Sequence, residues 1–242
     1  MADLNNSDAI KAWSRMPEEI IEGFGEEGDA TRKHLLNPVV FSLLGEVRGK
    51  AILDAGCGQG YLCRLLAKRG ASMTGVEPAD GWYTYACQRE EHEGLGIDYL
   101  QADLSSVPVP AEKFDYVIAN MVLMDIPAYL PALRTCITAL KPGGGFIISL
   151  LHPCFEEPGS AWNDKGYVET RDYFQERTVK QTYGHFVHRP LSFYLNSLIQ
   201  EGCAIQQFIE PQLDQATAQQ LQAQRYYYVP GYLVIYATRL AV

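Results

Sequence analysis

The spacing of apolar positions changes near residue 49, and the change divides the chain in two. Upstream the spacing is helical, with apolar residues every three or four positions from Asp8 to Ile21 and again from Asp29 to Val47. An interruption is expected near Pro38, and Asp29 is placed to cap the second helical run after the Gly-rich, acidic stretch Gly23 to Gly28. Downstream, short apolar runs alternate with amphipathic ones. Residues 51–53, 72–76, 97–101, 114–120 and 145–150 read as strands. One helix between them carries Leu62, Leu65 and Leu66, and a second runs from Trp82 to about Glu91. A third presents Leu130, Leu133, Ile137 and Leu140 on one side and stops at Lys141-Pro142-Gly143-Gly144. Strands alternating with helices predict right-handed crossovers and a parallel sheet.

The rhythm stops after Leu151. Residues 152–190 show no strand–helix unit and read as an insertion over the sheet. Ser192 is expected to cap a helix bearing Leu195, Leu198 and Ile199 and ended by Gly202. Residues 205–209 and 232–238 are the last two strands, with 212–224 helical between them. The pattern therefore implies an N-terminal helical lid (1–48), a core (49–151), a cap insertion (152–191) and a return to the core (192–242).

Composition narrows the class. With 242 residues, 47% of them apolar and 20% charged, one α/β domain with an insertion accounts for the chain. The formal net charge of −9 argues against nucleic acid, since a protein that neutralises several phosphates carries a basic face. The longest apolar run, Phe146 to Leu151, falls far below the ~20 residues of a membrane span, and no basic leader precedes an apolar run at the start. Six cysteines without regular spacing or a CxxC pair fit reduced thiols. A soluble, cytoplasmic protein is the expectation.

The candidate chemistry lies where strands end. Leu53-Asp54-Ala55-Gly56-Cys57-Gly58-Gln59-Gly60 joins the first strand to the first helix of the core. Glycines let backbone approach a ligand, and the helix N-terminus that follows offers unpaired N–H groups to an anion. Glu77, followed by Pro78, closes the second strand, where an acid can accept hydrogen bonds from both ribose hydroxyls. Asp103 follows the third strand, where an acid could reach the exocyclic amine of adenine. All occupy carboxyl ends of parallel strands, where open α/β sheets bind ligands.

Taken together, Asp54-Ala55-Gly56-Cys57-Gly58-Gln59-Gly60, Gly75-Val76-Glu77, Gln101-Ala102-Asp103-Leu104, Phe114-Asp115-Tyr116-Val117 and Leu140-Lys141-Pro142-Gly143-Gly144 resemble the ordered motifs of class I S-adenosylmethionine (SAM)-dependent methyltransferases of the small-molecule type. The resemblance covers about residues 49–151. It implies a Rossmann-like seven-stranded sheet of order 3-2-1-4-5-7-6, its last strand antiparallel, with helices on both faces. It also implies SAM as cofactor and S-adenosylhomocysteine as product. Asp54, Gly56, Cys57, Gly58 and Gly60 would cradle the methionine part, Glu77 and Pro78 the ribose, and Asp103 and Leu104 the adenine. Asn120 and Met121, at the end of the fourth strand, would face the sulfonium and methyl group. The GxGxG spacing departs from the GxGxxG of nicotinamide enzymes, which disfavours an oxidoreductase. Strand four also lacks the Asn-Pro-Pro-Tyr type of ending found in enzymes that methylate adenine in nucleic acid.

The acceptor side is read from composition. Residues 152–196 hold nine of the 27 aromatics and three of the five histidines. Trp162, Tyr173, Phe174, His185 and His188 are expected either to cover an apolar, aromatic acceptor or to pack the insertion onto the sheet. His152, directly after strand five, is expected to act as a general base or to be satisfied by backbone at a strand end. Neither His185-x-x-His188 nor His152 with Cys154 completes a metal-ligand set, so no metal is expected. Arg32 is placed to meet an acceptor carboxylate if the N-terminal helices form a lid. The reading is methyl transfer to the O, N or C atom of a small, apolar or aromatic acceptor. A tRNA or RNA methyltransferase and a non-catalytic SAM-binding protein are its rivals.

Overall fold

The computed structural model describes residues 4–156 and 166–241. Seven strands form one sheet: β1 (Ala51–Ala55), β2 (Ser72–Val76), β3 (Asp98–Leu100), β4 (Phe114–Asn120), β5 (Leu140–Leu151), β8 (Cys203–Ile209) and β9 (Tyr232–Arg239). Their order is β3-β2-β1-β4-β5-β9-β8, with β9 antiparallel to both neighbours. This is the expected sheet, the two strands of a small separate hairpin aside. Those two, β6 (Arg177–Lys180) and β7 (His185–His188), pair antiparallel within the insertion, where the sequence showed no regular element.

Burial on both faces explains the unbroken apolar runs of the central strands. Leu53, Val117, Phe146 and Ala237 lie in one register row and face one core. Ile118 and Ile147, one residue on, turn to the opposite core. The first core takes α6 (Tyr129–Ala139) and α7 (Leu191–Gln200); the second takes α3 (Asn37–Leu44) and α4 (Tyr61–Ala67). Helix α5 (Asp80–Glu93) joins β2 to β3, and the short α8 (Gln215–Gln220) and α9 (Arg225–Tyr228) precede β9.

Several boundaries differ from the sequence expectation, each for a local reason. The first helical run splits into α1 (Asn6–Trp13) and α2 (Glu18–Gly23), because Pro17 lacks the N–H that would continue it. Asp29 does accept the Arg32 backbone N–H at 2.9 Å, as a cap should. The interruption expected near Pro38 is a widened π-helical turn at Arg32–Leu36, which accommodates the proline without ending the run. Residues 212–224 do not make one helix, since Gln222 adopts φ +53° between α8 and α9. Helix α7 starts at Leu191 on Pro190 rather than on Ser192. Lys141 to Gly144 loops out as an irregularity inside β5 instead of preceding it.

Candidate active site

The turn from β1 into α4 is stitched to the end of β2. Gly56 and Cys57 donate their N–H groups to the Val76 carbonyl at 2.8 and 3.0 Å. Glu77 accepts from the Gly58 N–H at 3.0 Å and the Ala79 N–H at 2.9 Å. Gly56 sits at φ +81°, and a Cβ there would come within 2.5 Å of Val122, which follows β4. Only glycine satisfies both the dihedral and the approach.

Two carboxylates lie in this turn's shadow. Asp54 is buried, with the Cys63 thiol donating to it at 3.4 Å, and burial pushes it up to about 7. Glu77 is also buried and rises to about 7; desolvation outweighs the Ala79 and Gly58 hydrogen bonds, and the Asp54 charge adds to the rise. Asp103, after β3, accepts from Ser105 N–H at 2.8 Å and from the Asn6 side chain at 3.0 Å.

Strand β4 ends on a polar relay. Asn120 accepts from Ser149 Oγ at 2.6 Å and donates to Tyr61 Oη at 2.9 Å, and Tyr61 donates to Asn37 Oδ1 at 3.1 Å. Met121 follows at φ +63°, a left-handed conformation costly for a residue with a side chain. Its N–H is held by Ser149, by the carbonyl at 3.1 Å and the hydroxyl at 2.9 Å.

These groups open on one cleft of about 1020 Å³, its open mouth included, against roughly 300–1,000 Å³ for small-molecule sites. Every predicted cofactor residue except Gly60 lines it, as does Arg32. Gly60 faces away: it caps α4 at φ +79°, and a Cβ there would collide with the Tyr99 hydroxyl. Its glycine serves packing.

The methyltransferase-domain family matches residues 53–148. The ubiquinone biosynthesis O-methyltransferase of Coxiella burnetii is 32% identical over 126 residues, 51% of this chain and 54% of the relative. Its counterpart in Actinobacillus pleuropneumoniae serotype 7 is 33% identical over 128 residues, 49% of this chain and 55% of the relative. The chain thus spans about half the length of the curated relatives it matches. Among solved structures, a SAM-dependent methyltransferase from Mesorhizobium loti superposes with a TM-score of 0.76 at 29% identity, over 89% of this chain and all of that one. A 1,6-didemethyltoxoflavin-N1-methyltransferase from Burkholderia thailandensis, solved with S-adenosylhomocysteine bound, shares the fold at TM-score 0.59 and 17% identity, over 98% of this chain and 84% of that one.

Residues 53–148 match the methyltransferase-domain family, and the sheet has the class I SAM-dependent methyltransferase fold.

The cleft fits the cofactor of that family. It combines a glycine turn that brings backbone to the ligand, buried acids at the ends of β1 and β2, and an aromatic face on Trp82, whose indole N–H has no hydrogen-bond partner among the described residues. Sequence reasoning missed several wall residues of this cleft. Asn6, Ala9, Ile10 and Trp13 present one face of α1, and Phe24 and Trp82 complete that wall. The i, i+3, i+4, i+7 spacing of the α1 set was legible, but nothing local says which surface it covers. Asp125 was also missed. It lines the cleft, and no group among the described residues hydrogen-bonds its carboxylate. Burial raises it well above the ordinary carboxylate value, opposed by the Arg32 charge. Arg32 itself pairs with Asp29 at 2.5 Å and lies over the Phe24 ring at 4.9 Å.

The insertion behaves differently. None of Tyr173, Phe174, His185 and His188 lines the cleft, and Trp162 lies outside the described residues. Tyr173 Oη accepts from the Leu191 N–H at 2.8 Å, while the His188 ring engages the Tyr173 carbonyl at 2.8 Å. Phe174 is 86% exposed. His185 lies in β7, on the wall of a separate shallow cleft against α1. His152 is buried, and both ring nitrogens are engaged: Nδ1 accepts from the Cys154 N–H at 3.2 Å, which puts the proton on Nε2 facing Glu210 at 2.9 Å. His152 is not among the residues that line the cleft. Arg189 carries the insertion's link to the site. Fully buried, it donates to the Ile126 and Pro127 carbonyls, both at 3.1 Å, and so fixes the loop that bears Asp125.

Proposed function

We propose that this protein methylates a small, largely apolar or aromatic acceptor, with Asp125 rather than His152 as the polar group facing that acceptor. The single observation that carries the reading is the cleft's composition. Ile10, Trp13, Phe24, Val122, Ile126 and Pro127 wall it with apolar surface, and unpaired Asp125 stands among them. Bound SAM supplies an electrophilic methyl group on a positively charged sulfur. Asp54, Gly56, Cys57 and Gly58 would hold its methionine part, Glu77 and Pro78 its ribose, and Asp103 and Leu104 its adenine. The strained Met121 and the Ser149–Asn120–Tyr61 relay would fix the strand end beside which the acceptor is aligned. A carboxylate whose proton affinity is raised by burial suits removal of a proton from an acceptor hydroxyl or amine, and the apolar wall excludes water.

Two further observations support a small acceptor in a reducing compartment. The Coxiella relative is named for O-methylation in ubiquinone biosynthesis, and all six cysteines are free. Among the described residues no helix is long and apolar enough to cross a membrane. The test is transfer from methyl-labelled SAM to a small-molecule extract and, in parallel, to total tRNA. Label is expected in the small-molecule fraction alone; tRNA label that survives salt washing overturns the reading.

A further inference from the structure

One side chain near the N-terminus ties both rims of the cleft together. Asn6 opens α1, and its Nδ2 lies 3.0 Å from each Asp103 carboxylate oxygen and 3.0 Å from Ser105 Oγ. Its Oδ1 accepts the Ala128 N–H at 2.8 Å. Ala128 caps α6 and directly follows Ile126 and Pro127 on the far wall. A neutral amide is suited to this place. It gives one N–H to Asp103 and one to Ser105, and leaves the carboxylate oxygens lone pairs to spare. The other end of α1 is held as well. Ser14 Oγ accepts the Asp80 N–H at 3.3 Å, and the Trp13 ring packs edge-on to Trp82 at 6.3 Å. Between these ends Ala9, Ile10 and Trp13 face the cleft.

We infer that α1 is a strap across the cleft and Asn6 its clasp, a positioning residue that holds Asp103 ready for the exocyclic amine of adenine while closing the exit. This rests on the proposed placement of adenine against Asp103. Cofactor exchange then requires the Asn6 hydrogen bonds to break, so the same contact that orients the recognising carboxylate sets the residence time. An aspartate at position 6 would set two carboxylates against each other and hold the strap open.

The experiment follows dissociation of S-adenosylhomocysteine from the full-length protein by tryptophan fluorescence, since Trp13 and Trp82 both line the cleft. S-inosylhomocysteine, which lacks the exocyclic amine, serves as the second probe. Asn6→Ala is expected to accelerate loss of S-adenosylhomocysteine about tenfold, Asn6→Asp more, and loss of the inosyl analogue clearly less. Melting temperature, read on the same samples, is expected to move little, because Asn6 lies outside the core clusters. A rate within twofold of wild type in Asn6→Ala overturns the clasp, and equal acceleration of both probes overturns the positioning of Asp103. Failure of the unaltered protein to bind S-adenosylhomocysteine would instead overturn the cofactor placement on which the inference rests.

Discussion

The turn after β1 and the insertion after β5 both leave the sheet at the carboxyl ends of its strands, yet they do opposite things with their side chains. The turn exposes backbone and buries its acids under a cleft; the insertion buries His152, Phe186 and His188 in the fold and leaves Phe155, Tyr167 and Phe174 exposed. Arg64 and Arg189 show the same contrast from behind. Buried Arg64 donates to the Gln59 carbonyl at 2.7 Å and its side-chain oxygen at 2.6 Å, bracing the glycine turn. Buried Arg189 braces the loop after β4 from the insertion's side. Among the described residues, the insertion therefore reaches the site through a guanidinium on backbone carbonyls and not through an aromatic ring. Aromatic enrichment is a poor locator of an acceptor pocket, because a ring buried against a ligand and a ring buried against the fold answer to the same hydrophobic driving force.

The contrast breaks first at Gly56. Gly56→Val combines a left-handed dihedral with a Cβ driven into Val122, and calorimetry should show S-adenosylhomocysteine binding lost by more than about 100-fold. Binding within threefold of wild type would remove the turn from the site. Glu77→Ala should weaken the same binding by roughly 1–3 kcal/mol through loss of the hydrogen bonds proposed to the ribose and of the Gly58 contact.

The buried acids also make stability depend on pH. Folding raises Asp54 from 3.8 to about 7 and Glu77 from 4.5 to about 7. The native state then binds protons more tightly than the unfolded chain across that interval. Unfolding free energy contributed by these groups therefore falls as pH rises toward 7 and is level above it. The limit is about 3 kcal/mol for Glu77. Denaturant midpoints at pH 5.5 and 8 should differ less in Asp54→Asn than in the unaltered protein. An unchanged or larger difference in the variant would mean that Asp54 is not held protonated.

On the insertion's side, His152→Ala should lower the melting temperature, because it strips partners from the Cys154 N–H and Glu210, while leaving S-adenosylhomocysteine affinity within about twofold. Phe174→Ala should change neither. A large affinity loss in either variant would mean that the insertion touches the ligand after all.

What could be read in the sequence was whatever a few consecutive residues decide. The glycine turn, the acids after β2 and β3 and the alternation of strands and helices each follow from local backbone geometry and from period-2 or period-3.6 burial, while the antiparallel last strand was legible only through the resemblance to a family. The β6–β7 hairpin, the engagement of both His152 nitrogens, the position of Asp125 and the reach of Asn6 to Asp103, 97 residues away, belong to the tertiary structure. Each depends on which distant surface meets a side chain. A short stretch of chain constrains its own dihedrals and its burial, but hydrogen-bond partners and cleft walls are set only when remote segments are brought into contact.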